Sequence, residues 1–148
     1  MASVDIFKRR KKETEKRVEE KVEEKTLLEE LCKGDNELYN TLSRTLLLNP
    51  EMTKQAGEID ARVERAQEYE KNKDYFRARI EYQVAGELAL YEGKMAQVQK
   101  LFKKAAETDP TYSNRSIFEY FAKKENAEKA IVMAQEYYRH TTKPAQRE

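Results

Sequence analysis

Apolar residues recur along this chain at three- and four-residue spacing, and short polar breaks interrupt them again and again. That spacing lays an apolar stripe on one side of a helix, so the pattern predicts amphipathic helices joined by tight connections. Residues 13–33, ETEKRVEEKVEEKTLLEELCK, pair opposite charges at helical spacing, as in Glu13 with Arg17 and Lys16 with Glu20. The apolar stripe beneath them is thin (Val18, Val22, Leu27, Leu28, Leu31), which predicts a charged helix docked only at its end. Gly34 supplies a stop and Asp35 a fresh N-cap for a helix through NELYNTLSRTLLL, with Leu38, Leu42 and Leu46 on one face. Asn49-Pro50 restarts the chain, and Met52, Ala56, Ile59, Val63 and Ala66 form one stripe on a helix reaching about Asn72, with Gly57 as its weak point.

Asp74 then caps a helix that Gly93 ends, and residues 94–108 pack through Met95, Val98, Leu101, Phe102 and Ala105. Asp109-Pro110 punctuates again, before an aromatic helix with Ile117, Phe118, Tyr120 and Phe121. The last helix is expected from about Ala127 to Arg139, carrying Ala130, Ile131, Ala134 and Tyr138. The organisation read from this pattern is a basic flexible arm (1–12), a charged helix (13–33), an α-helical domain (35–140) and a polar tail (141–148). Short connections force neighbouring helices antiparallel, so the expected fold is a string of helical hairpins.

Composition narrows the picture. The chain has 148 residues, one domain's worth, with 39% charged residues, four Gly and three Pro, and a mean hydropathy of -1.01. Those values suit an all-α fold. Lys plus Arg (29) nearly cancels Asp plus Glu (28), so no global field draws the chain to nucleic acid or anionic lipid. Richness in Lys and Glu is also a thermophile's habit. Cys32 stands alone and no apolar run reaches signal-peptide or membrane-span length, from which a soluble, cytoplasmic protein is expected.

One stretch is more specific. Within AQEYEKNKDYFRARIEYQVAGELA, the residues Ala66, Tyr69, Tyr75, Ala78, Tyr82 and Ala85 alternate small and aromatic side chains. A heptad seam would prefer branched aliphatics on that beat, and a cofactor pocket would need convergent polar groups. The order and spacing resemble a tetratricopeptide repeat, in which two helices cross closely where one offers Ala or Gly and aromatic rings fill the grooves alongside. Phe102, Ala105 and Asp109-Pro110 resemble the tail of a second repeat, and Phe121, Ala127, Ala130 and Ala134 a third, so the resemblance spans residues 50–140. It implies a concave face for a partner, with Val63, Gln67, Glu70 and Lys71 turned towards it. The Lys and Asn of the family's carboxylate-clamp variant are missing there, which argues against a chaperone C-terminus as ligand. Gly86 beside Ala85 predicts the close approach of another helix, from this chain or a second copy.

Candidate chemistry is sparse in the sequence. His140 is the sole histidine, and it lies four residues from Glu136 where a di-iron helix pair needs Glu-x-x-His twice. Cys32 sits beside leucines and reads as a small hydrophobe, the four Gly are isolated, and Glu64 with Glu68 reads as a solvated face. No catalytic residue, cofactor or metal is therefore assigned. The leading expectation is a non-enzymatic adaptor or assembly module that binds a protein partner. The alternative is a nucleic-acid-associated factor using Lys8, Arg9, Arg10, Lys11 and Lys12, together with Lys100, Lys103, Lys104, Arg115, Lys123 and Lys124. A partner-induced helix over 13–33 is a further reading.

Overall fold

The computed structural model describes residues 27–48, 50–111 and 114–142. They form α1 (Asn36–Thr45), α2 (Pro50–Gln55), α3 (Ile59–Lys71), α4 (Tyr75–Glu92), α5 (Met95–Thr108), α6 (Arg115–Glu119), a 3-10 turn (Tyr120–Ala122) and α7 (Lys124–Thr142). Residues 27–31 are also helical, and no strand occurs among the described residues. The fold is all-α, built from helical hairpins. The basic arm and residues 13–26 of the charged helix lie outside the described residues.

Local chemistry explains several helix ends. The Asp35 carboxylate accepts from the Leu38 N–H at 3.1 Å and the Asp74 carboxylate from the Arg77 N–H at 3.2 Å, so each caps the helix it precedes. Gly34 and Gly93 adopt φ of +90° and +71°, the left-handed region where glycine is strain-free. Asp109 works on the far side of α5. Its carboxylate accepts from the Thr111 N–H and hydroxyl and from the Asn114 N–H, which fixes the connection to α6.

Helix α4 is the axis of the molecule. It packs against α3, α5 and α7, and every residue from Tyr82 to Leu90 is buried. A helix enclosed on all sides needs no apolar stripe. Ala66, Ala78 and Ala85 are fully buried where small side chains let helices approach, and Tyr82 is buried among them. The α3–α4 hairpin is closed by Arg62 and Glu81, whose nearest charged atoms are 3.1 Å apart. Gly86 abuts Phe102 of α5, whose ring stacks on Phe121 with centroids 4.0 Å apart. The helix that Gly86 admits is thus this chain's own α5.

The structure corrects several expectations. The NELYNTLSRTLLL helix stops at Thr45, because the N–H groups of Leu47 and Leu48 are taken by a carboxylate on α4. The stripe from Met52 to Ala66 is divided between two helices: Gly57, at φ +82°, breaks the chain, and Met52 is exposed. Tyr75 is 45% exposed and fills no groove of the hairpin, since it lies at the first residue of α4, beyond the crossing. The last helix begins at Lys124 and continues to Thr142, so Thr141 and Thr142 belong to it rather than to the polar tail.

Gly86→Ala measures the tightest contact. A Cβ there would lie 2.8 Å from two atoms of the Phe102 ring, which Phe121 prevents from swinging away. Overpacking of this kind costs about 1–3 kcal/mol, against a helix-propensity gain of about 1 kcal/mol. The expected result is a lower urea midpoint than wild type; an unchanged or higher midpoint would show that the ring yields.

Candidate interaction sites

Three features combine exposed or buried polarity with defined geometry. The first is a polar ladder on α4, where Arg79, Gln83, Glu87 and Tyr91 recur every fourth residue and so share one side of the helix. Gln83 accepts from Arg79 Nη1 at 2.7 Å and donates to the Arg44 carbonyl oxygen at 3.2 Å. Glu87 is completely buried. Its two oxygens accept from the backbone N–H groups of Leu47 (2.8 Å) and Leu48 (3.0 Å) and from the Tyr91 hydroxyl (3.1 Å). Burial pushes the Glu87 carboxyl up to about 7, although all three donors pull the other way. Burial and the adjacent carboxylate likewise push the Tyr91 phenol up.

The second is a groove of about 770 Å3 between α5 and α6. Ala106, Phe118 and Ala122 give it apolar surface, and Lys100, Lys103 and Arg115 line it together with Glu107 and Glu119. Gln99 anchors its edge by donating to the carbonyl oxygens of Phe121 and Ala122. The third is a cleft of about 200 Å3 where the end of α1, the ladder and α6 meet.

The residues expected to face a partner all lie on α3 and differ in exposure. Gln67 and Lys71 are exposed, Val63 is half-buried against the core, and Glu70 is engaged. The Tyr82 hydroxyl donates to the Glu70 carboxylate. Lys104 Nζ stands 3.6 Å from the same carboxylate and 5.5 Å from the Tyr82 ring centroid. Those contacts join α3, α4 and α5, so Glu70 and Lys104 act between helices. Of the cations named for a phosphate partner, Lys100, Lys103 and Arg115 come together in the groove, while Lys123 and Lys124 are exposed outside it. Lys8 to Lys12 lie outside the described residues. Of the repeat positions, Ala66, Ala78, Tyr82 and Ala85 are buried, Tyr69 is half-buried and Tyr75 is exposed.

Cys32 is buried and its thiol is pushed up to about 11, first by burial and then by Asp35, which makes it a poor nucleophile. His140 Nε2 lies 3.6 Å from Glu136 on an exposed turn of α7. Sequence reasoning missed Glu87 and the cleft. The available signal was Glu87's place as the only charge between Glu81 and Glu92, in a stretch that is otherwise apolar or small apart from Gln83.

Between the ordinary 4.5 and about 7, the folded chain binds one more proton at Glu87 than the unfolded chain does. Stability is therefore expected to fall as pH rises through that window, by on the order of 3 kcal/mol in all. Urea unfolding at pH steps should show the slope in wild type and a flatter profile in Glu87→Gln; equal slopes would place the titration elsewhere. No protein-family model matches the chain, and comparisons with curated proteins and with solved structures give no match.

Proposed function

We propose that the chain is a non-enzymatic protein–protein interaction module, an adaptor or assembly subunit of tetratricopeptide-like hairpins that holds a protein partner. The observation that carries this reading is the groove between α5 and α6. Its apolar lining rewards a partner's buried side chain, and its mixed charges, three cationic and two acidic side chains, fit a polypeptide that bears both signs. A packed core behind it, with Phe102, Phe118 and Phe121 in contact, keeps the groove formed before a partner arrives. The burial of Ala66, Ala78, Tyr82 and Ala85 supports the repeat-like part of the reading.

A nucleic-acid partner is favoured by one observation, the convergence of Lys100, Lys103 and Arg115. Against it, Glu107 and Glu119 share the groove and Lys104 is drawn towards Glu70, so a phosphate backbone would meet like charge. The protein reading accounts for both signs.

Cross-linking mass spectrometry in native extract, on wild type and on the exposed double variant Lys100→Glu/Lys103→Glu, separates the two. The protein reading expects cross-links from α5 and α6 to a defined polypeptide that the variant loses while its thermal midpoint stays unchanged. Binding to generic RNA and DNA at rising salt, with and without residues 1–12, is expected to be weak. Tight binding with a steep salt slope that disappears on truncation would replace the protein reading with the nucleic-acid one.

A further inference from the structure

We propose that the cleft between the end of α1, the polar ladder of α4 and α6 is a second docking site, which takes an internal acidic residue of a peptide segment together with its apolar neighbours. The site is distinct from the α5–α6 groove.

The cleft is built by buried polar side chains rather than by surface charge alone. Gln83, only 2% exposed, holds Arg79 through its oxygen and the Arg44 backbone through its amide, so one buried side chain orients both arginine positions that line the cleft. Arg79 Nε is sealed from solvent and has no acceptor. That inner atom is out of a ligand's reach, and the partly exposed remainder of the guanidinium, its Nη groups, is shaped to take a carboxylate through two parallel hydrogen bonds. Burial would raise the Asp109 carboxyl, but the Asn114 and Thr111 donors, with a smaller pull from Arg79, hold it below the usual carboxylate range. Asp109 accepts from Thr111 and Asn114, and it offsets part of the Arg79 charge from a distance.

Apolar anchors flank the arginines. Leu47 lines the cleft and is 50% exposed, yet its backbone is fixed by Glu87 at 2.8 Å. Phe76 is 56% exposed, and the Arg79 guanidinium stands 5.5 Å from its ring centroid. Aromatic and arginine side chains on a preorganised support are the residue types that dominate binding hot spots. The charge of Arg44 and Arg79 selects an acidic residue, a volume of about 200 Å3 admits one carboxylate side chain, and Leu47 and Phe76 select apolar residues beside it.

Random-peptide display on the immobilised full chain tests this. The expected outcome is a consensus of Asp or Glu adjacent to Leu, Ile or Phe, and a synthetic peptide of that consensus that binds Arg79→Gln at least about tenfold more weakly than wild type. Phe76→Ser, at an exposed position, should weaken binding several-fold with an unchanged melting temperature, which keeps the test valid if Arg79→Gln unfolds. Lys100→Glu/Lys103→Glu should bind the peptide as wild type does, so failure of this site and failure of the α5–α6 groove are told apart. A basic or uncharged consensus, a consensus lost only on Lys100→Glu/Lys103→Glu, or no enrichment over blank support would each overturn the proposal.

Discussion

The Glu87 carboxylate, fully enclosed on the central helix, reaches across about forty residues of sequence to the backbone of Leu47 and Leu48. An ionised group at such depth is tolerable only when its oxygens are all engaged, and here the two N–H groups and the Tyr91 hydroxyl engage them. Because of those bonds α1 ends at Thr45 and residues 46–48 are non-helical. Gln83, one turn earlier, fixes the Arg44 carbonyl in the same way. The ladder therefore fastens the end of α1 to the axis, where apolar packing alone would leave its register free.

Around that axis, size complementarity does the rest. The absence of side chains at Gly86 and their smallness at Ala66, Ala78 and Ala85 bring α3 and α5 close to α4, and the Phe102–Phe121 stack fills the space beside the contact. With α4 buried from Tyr82 to Leu90, the surfaces left for recognition are α5 with α6 in the mixed-charge groove, and α1 and α6 with Arg79 of α4 at the arginine-lined cleft. Both are supported from beneath by buried residues, Phe118 being common to the two. A partner meeting either site finds it already formed, which lowers the ordering cost of binding.

Features that depend on a few neighbouring residues were legible in the sequence. Asp35, Asp74, Gly34 and Gly93 set helix ends through bonds or dihedrals spanning no more than a turn, and the heptad of small and aromatic residues marked α4 as a helix crossed by others. The core positions Val98, Leu101, Phe102 and Ala105 followed from period alone. What resisted reading was the state of residues whose pattern fits two environments. Tyr75 keeps the beat of Tyr82 yet lies in solvent, because the beat fixes the side of a helix and not how far the neighbouring helix extends.

By itself, then, the sequence determined an all-α chain of short-connected helices, their caps and the small residues at their crossings, because these follow from local hydrogen bonding and helical period. Only the tertiary structure decided that Glu87 is buried, that α1 unwinds at Leu46, that Glu70 and Lys104 meet each other, and that Arg44 and Arg79 share one cleft. Each of those outcomes depends on a partner outside the residue's own helix. The free energy of a charged side chain is set by what surrounds it, which a linear pattern does not contain.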